Sequence, residues 1–200
     1  MSEYFNKRAQ DRDADDMVTK LSSAIGSSIL EHVSLNDQMD ELEYGAGPGL
    51  LRTHVAPLGT NTIPVDPSQE MLNKLLSKPE LHGKVEAVQQ NILDQPIEKK
   101  FDLIMSAMAV HHVEDTSKLI KRFAEHLRPQ AMIALADLDK EDGSFHPEEA
   151  EGVFHSGFER EEFQRILESH GFENINFFTA HTVNKENREY PVFLVIASKS

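Results

Sequence analysis

Met39-Asp40-Glu41-Leu42-Glu43-Tyr44-Gly45-Ala46-Gly47-Pro48-Gly49-Leu50-Leu51 decides how this chain is read. A short segment carrying one aliphatic residue runs into three glycines spaced two apart. Leu50, Leu51, Val55 and Leu58 then follow at near-helical spacing. The order is strand, tight turn, helix. Glycine lets the backbone turn sharply and lets a ligand approach the main chain without meeting a Cβ. N–H groups left unpaired at the start of the next helix favour an electronegative ligand group.

Working outward, residues 17–33 carry Met17, Val18, Leu21, Ala24, Ile25, Ile29 and Val33, a stripe that predicts an amphipathic helix. Residues 3–16 are polar apart from Tyr4 and Phe5 and read as an arm. Downstream, strand-like and helix-like stretches alternate. Thr62-Ile63-Pro64-Val65-Asp66 is an expected strand ending in an acid, although proline removes a ladder donor and is disfavoured in central strands. Ser68–Lys78 is an expected helix, with Pro67 suited to its first turn. Val85–Val88 alternates as a third strand and runs into Gln89-Gln90-Asn91-Ile92.

Phe101–Ser106 is a fourth strand, followed by Ala107-Met108-Ala109-Val110-His111-His112. A helix carrying Leu119, Ile120, Phe123 and Leu127 is expected to end at Arg128-Pro129. Met132–Asp137 is a continuous apolar run ending in an acid, as befits a strand buried on both faces. Arg160–His170 reads as a helix stopped by Gly171. Glu173–His181 and Tyr190–Ala197 read as an antiparallel pair joined by a polar loop, Thr182–Glu189.

Composition sets bounds. Two hundred residues suit one domain. The absence of cysteine removes disulfides and thiolate chemistry. No apolar run of membrane-spanning length and no apolar leader occurs, so a cytoplasmic protein is expected. The net charge of −14, without any basic cluster, argues against nucleic acid as a partner. Asp137–Glu148 is acid-rich, but its glycine and aliphatic positions do not fit a calcium-binding loop. The spacing of the histidines supports no metal site.

The third small residue after Gly45-x-Gly47 falls one place too early for the dinucleotide fingerprint. The pattern Glu43-x-Gly45-x-Gly47-x-Gly49 instead resembles the first motif of the class I S-adenosylmethionine-dependent methyltransferases. Asp66, Asn91-Ile92 and Phe101 through His112 follow in the order of that family's further motifs. The resemblance is good over about residues 38–137.

It implies an α/β, Rossmann-like, doubly wound fold. The sheet would have seven mostly parallel strands and an antiparallel C-terminal hairpin, in one domain spanning 1–200. Residues 1–37 would cap the cofactor side and 138–159 would form a substrate lid. The implied cofactor is S-adenosyl-L-methionine, held by Glu43, Gly45, Ala46, Gly47, Gly49, Asp66, Pro67, Met71, Asn91, Ile92 and Ala107. Asp66 would accept from the ribose hydroxyls and Asn91 from the adenine, although the family usually has Asp at the latter place.

The reaction would be in-line methyl transfer to a small-molecule acceptor, by a monomer or homodimer. His111 and His112 are the candidate proton acceptors, because imidazole titrates near neutrality. His146 and His155, on the long connection after the fifth strand, are candidate substrate contacts. Two other classes stay open: a non-catalytic S-adenosylmethionine-binding protein on the same fold, and a nicotinamide-dependent reductase.

Overall fold

The computed structural model describes residues 6, 15–55, 61–147 and 150–200. Most of the proposed N-terminal arm, the Pro57-Leu58-Gly59 stretch at which the helix after the glycine turn is expected to stop, and residues 148–149 of the proposed lid therefore lie outside the described residues. In chain order the elements are α1 (Asp16–His32), β1 (Asp40–Tyr44), α2 (Leu50–Val55), β2 (Asn61–Asp66), α3 (Gln69–Leu76), β3 (Val88–Gln89) and β4 (Phe101–Ala107). Then come a 3₁₀ turn (Val110–His112), α4 (Thr116–His126), β5 (Leu127–Leu138), α5 (Arg160–Ser169), β6 (Phe172–Lys185) and β7 (Arg188–Lys199).

The seven strands form one sheet in the order β3-β2-β1-β4-β5-β7-β6. All neighbours are parallel except β7, which runs antiparallel to both β5 and β6. This is the expected doubly wound architecture with its C-terminal hairpin. Helices cover both faces. On one, Leu119, Ile120 and Phe123 of α4 and Phe163 and Leu167 of α5 pack with Leu42, Ile104, Ile133 and Val195. On the other, Leu21, Ile25 and Ile29 of α1 and Leu51 and Val55 of α2 pack with Leu103, Met105, Ala134 and Leu194. The apolar stripe of α1 is thus absorbed by the sheet. Among the described residues no helix is long and apolar enough to cross a membrane.

Pro64 sits inside β2, opposite Glu43 of β1. The Val65 carbonyl accepts from Gly45 and Ala46 on the β1 side, so its neighbour Pro64 faces the β3 side. There β3 pairs only with Val65 and Asp66. The missing donor therefore faces a stretch with no ladder to break. The same shortness corrects the third strand: only Val88 and Gln89 are paired, and Val85–Ala87 lie before the strand.

Two turns depart from expectation. α4 stops at His126, and the chain enters β5 through an irregularity in its pairing with β4 between Phe101 and Leu103. Gln130 there adopts φ 62°, the left-handed conformation that glycine takes at least cost. The C-terminal hairpin is also tighter than an eight-residue loop. β6 and β7 pair as far as Lys185 with Arg188, leaving Glu186 and Asn187 at φ 52° and 63°. Positive φ at both central residues is the two-residue turn whose twist matches antiparallel strands.

Candidate active site

In an open α/β sheet, ligands bind beyond the carboxyl ends of the strands, where the strand order reverses. Here the reversal lies between β1 and β4. The glycine turn leaves β1 on one side of it, and Ala107-Met108-Ala109 leaves β4 on the other. All three turn glycines have positive φ, 66°, 53° and 78° for Gly45, Gly47 and Gly49. Their surroundings separate their roles. A Cβ on Gly45 would lie 2.4 Å from the Cβ of Ala109, and one on Gly49 would lie 2.7 Å from Leu75 Cγ. Both glycines are required by packing. Among the described residues a Cβ on Gly47 would meet only the Gly45 carbonyl, at 4.0 Å. Gly47 is the glycine whose open side a ligand can use.

Asp66 ends β2 and fastens this turn. Gly47 N–H donates to its Oδ2 (2.9 Å) and Ser68 N–H to its Oδ1 (2.8 Å). The Ser68 hydroxyl accepts from Met71 N–H as the cap of α3 and donates to Asn6 Oδ1 (2.6 Å), a contact from the far N-terminus. Pro67 is exposed beside it, whereas Met71 is buried. Ala46 is buried against Leu72, Leu75 and Leu81.

Asn91 is exposed, and its carboxamide closes a local turn by accepting from Leu93 N–H (3.1 Å) and donating to Asp94 (2.8 Å). Ile92 is fully buried in the core. Beside them is a shallow depression of about 250 Å³ lined by Pro67, Gln89, Gln90, Asn91, Asp94 and Gln95.

Glu43 is the unusual residue of β1. Its side chain is 2% exposed and its Oε2 has no hydrogen-bond partner among the described residues. Burial pushes its carboxyl up to about 8; Arg52 opposes this, and Glu41 and Asp66 add to it. Behind it lies a buried pair that the sequence reading missed. Arg52 of α2 donates to Glu41 (2.7 Å), which also accepts from the Thr62 hydroxyl (2.5 Å). The available signal was three acids, Asp40, Glu41 and Glu43, in a strand at the centre of the sheet.

Across the switch point stand the histidines. His111 is 1% exposed. Its Nδ1 lies 2.7 Å from Asp137 Oδ1, and its backbone N–H donates to Asp137 Oδ2 (3.1 Å). Burial alone would raise the Asp137 pKa. The His111 imidazole and the N–H groups of Leu138 and His111 outweigh it and bring the carboxyl below its ordinary range. A carboxylate only accepts, so Nδ1 of His111 carries a proton, and in the neutral ring the lone pair is on Nε2. That Nε2 is buried with no hydrogen-bond partner among the described residues.

His112 Nδ1 lies 2.8 Å from the Gly152 carbonyl, which again only accepts and so fixes the same tautomer. Burial, with His111 alongside, pushes its pKa down to about 3, so the ring is neutral in ordinary buffers. His146 joins the pair, its ring centroid 4.8 Å from that of His111. His155 does not. Its Nε2 is 2.9 Å from the Val113 carbonyl and 3.2 Å from Thr116 Oγ1, fastening the connection to the start of α4.

That connection is tied at several points. Phe154 and His155 N–H donate to the His111 carbonyl, and Lys140 and Glu141 N–H donate to Phe158 and Ser156. Three of its described acids are held: Asp139 by Arg160 at 2.7 Å on both oxygens, Asp142 by Arg188, and Glu141 by the N–H groups of Gly143 and Phe145.

A family model described as "Methyltransferase domain" matches residues 9–190. The chain belongs to the methyltransferase domain family. An uncharacterized methyltransferase of Schizosaccharomyces pombe is 27% identical over 135 residues, covering 60% of this chain and 48% of that protein. A ubiquinone biosynthesis O-methyltransferase of Nitrobacter winogradskyi is 30% identical over 105 residues, 52% of this chain and 40% of that one. The chain thus spans about half or less of the length of these curated relatives. Among solved structures, magnesium protoporphyrin IX methyltransferase from Synechocystis with bound S-adenosylhomocysteine superposes with a TM-score of 0.73. It is 17% identical and covers 100% of this chain and 98% of its own. Family membership sets the nicotinamide-dependent reductase aside.

Proposed function

We propose that this protein is an S-adenosylmethionine-dependent methyltransferase that acts on a small-molecule acceptor by in-line transfer. The observation that carries the reading is the buried carboxyl of Glu43, one oxygen of which has no partner among the described residues, beside a glycine turn that is open at Gly47. A buried acceptor without a partner costs about 1–3 kcal/mol. The cationic groups of S-adenosylmethionine suit it. The S-adenosylhomocysteine bound to the Synechocystis neighbour supports the same cofactor.

When bound, the cofactor supplies a methyl group already activated by its sulfonium. The chain's own tasks are alignment and the exclusion of water. Glu43 and the Gly45–Gly49 turn would hold the amino-acid end. Asp66 would bind the ribose, since a carboxylate has about four acceptor sites and can take vicinal hydroxyls while keeping its bonds to Gly47 and Ser68. The depression at Pro67 and Gln89–Asn91 suits the adenine. Because the Asn91 side chain serves its own turn, recognition there would rest on that wall as a whole.

The acceptor would approach from the β4 and β5 side. Nε2 of His111, in the neutral ring, would be the nitrogen toward which its proton can leave; His112, pushed down to about 3, is too weak a base for the role that its sequence position suggested and would line the site instead. The tied segment 138–159 would cover the acceptor. Phe154, exposed on that segment, supplies apolar surface next to the histidines. The charge of −14 speaks against a polyanionic acceptor.

Calorimetric titration with S-adenosylmethionine, S-adenosylhomocysteine and NADH in parallel tests the reading. Binding of the first two alone is expected. NADH binding, or no binding at all, would overturn it. Binding without turnover across an acceptor panel would favour a non-catalytic role.

A further inference from the structure

We propose that His111, His112 and His146 form a binding site for a divalent transition-metal ion, with zinc the best match. One ring nitrogen from each lies within 4.8 Å of the other two. Three imidazole ligands with a fourth position open is the ligand set of a catalytic zinc centre. Imidazole suits zinc, copper, iron and nickel, whereas magnesium and calcium require oxygen ligands. A tetrahedral ion at about 2.0–2.1 Å from each nitrogen needs the three nitrogens about 3.3 Å apart. From within 4.8 Å the nitrogens would draw together by up to about 1.5 Å on binding.

Three observations set this cluster apart from histidines packed together by chance. First, the rings are oriented from outside. Asp137 fixes Nδ1 of His111 and the Gly152 carbonyl fixes Nδ1 of His112, so each ring directs its Nε2 lone pair away from that support. Metal-binding histidines almost always carry such a carboxylate or carbonyl behind them. Second, His111 Nε2 is buried in a side chain only 1% exposed and has no hydrogen-bond partner among the described residues, although two further imidazoles lie alongside its ring. A metal ion would satisfy it. Third, the residue that brings His146 in is anchored. Phe145 is buried, with its ring 4.9 Å from His146 and 5.3 Å from Tyr190. The Phe145 N–H donates to Glu141 and its carbonyl accepts from Lys185.

The cluster lies beyond β4 and β5, where the acceptor would enter. This part of the inference rests on the proposed methyltransferase reading. An ion there would bind the acceptor's hydroxyl oxygen in its open position and lower the pKa of that group. With the histidine nitrogens bound to the ion they no longer accept the proton, which leaves to solvent instead; the oxygen–methyl bond forms as the sulfur–methyl bond breaks, and the electron pair stays on sulfur. The favoured acceptor is then an oxygen nucleophile able to ligate a metal, such as a phenol or a vicinal diol.

The test uses the whole chain, untagged and stripped with a chelator. Zinc alone is titrated in competition with a chromophoric chelator, and cobalt(II) is added separately as a spectroscopic probe. The expected result is one tightly held ion per chain, with visible cobalt bands of tetrahedral intensity. His146→Ala should lose at least tenfold in affinity, and the exposed control His82→Ala should lose none. Because His111 is buried, His112→Gln is the second site variant, checked for native circular dichroism. Weak binding of several ions, or affinity unchanged in His146→Ala and His112→Gln, would overturn the site. Titration of the same metal-free sample with S-adenosylmethionine separates the two readings. Cofactor binding without zinc binding refutes only the metal site, and zinc binding without cofactor binding refutes only the proposed function.

Discussion

Replacing Glu43 by Gln should stabilise the ligand-free protein increasingly as the pH rises. The folded carboxyl titrates at about 8, against an ordinary value of 4.5. Between those values the folded state keeps a proton that the unfolded chain has lost. Stability falls with rising pH wherever the folded state binds more protons. The wild type should therefore lose stability from 4.5 upward and level off above about 8. At 1.36 kcal/mol per pKa unit, this one group is worth about 5 kcal/mol across the window. Glutamine keeps the shape and cannot ionise. The two proteins should have similar stability near pH 4.5 and diverge by several kcal/mol near pH 8. Urea unfolding of both across this range reads the difference directly, and groups common to both proteins cancel. Parallel stability curves would refute the argument. A cationic cofactor on Glu43 would also draw off its proton. Binding of S-adenosylmethionine to the wild type should then release protons at neutral pH, seen as a buffer-dependent binding enthalpy, and Glu43→Gln should abolish the release.

The turn glycines should separate in the same assays. Gly45→Ala drives a methyl group into Ala109 and should cost about 1–3 kcal/mol of stability on top of the roughly 1–2 kcal/mol left-handed penalty. Gly47→Ala should cost only the roughly 1–2 kcal/mol of a left-handed non-glycine residue yet lose cofactor affinity; equal affinity would place the ligand elsewhere. Asp66→Ala should weaken S-adenosylmethionine binding by on the order of 1.5–3 kcal/mol for each charge-assisted bond lost, measured by calorimetry, and unchanged affinity would reject the ribose assignment. Gln130→Gly should stabilise the fold by about 0.5–1 kcal/mol, the left-handed strain relieved less the entropy that glycine adds to the unfolded chain. A lower melting temperature in that variant would show that the Gln130 side chain contributes more than its backbone costs.

The elements that were legible in the sequence are those whose cause is local. Three glycines two apart, a continuous apolar run at Met132–Ala136 and the stripes of α1, α4 and α5 each dictate their own structure, and their alternation dictates the sheet. The misjudged places depend on a neighbour. Val85–Ala87 alternate well, but β3 is an edge strand with one partner, and its pairing ends where β2 reaches Pro64. Glu186-Asn187 carries no glycine, so nothing marked it as the two-residue turn that Lys185–Arg188 pairing requires. Gln130 holds a left-handed conformation because β5 must enter its register beside β4, a demand that no residue type announces.

The candidate site divides in the same way. The proposed cofactor half is contiguous in sequence, since a strand end and the following turn form each wall. The proposed acceptor half is assembled across the sheet. β4 and β5 pair in parallel as far as Ala107 with Ala136, so Asp137 lies one step beyond the last rung, directly beside the turn that carries His111. Two parallel runs ending in Ala107 and Asp137 would have sufficed to foresee that pair. His146 is different. It arrives on a connection whose course is set by Phe145 against Tyr190 and by the Phe154 and His155 N–H groups bound to the His111 carbonyl. Spacing along the chain carries no information about such a meeting, which is why histidines that suggested separate roles in proton transfer and substrate contact converge here on one point. His155, the other candidate substrate contact on that connection, does not join them. The structure instead uses it as a fastener at Val113 and Thr116, and so leaves His146 as the third imidazole.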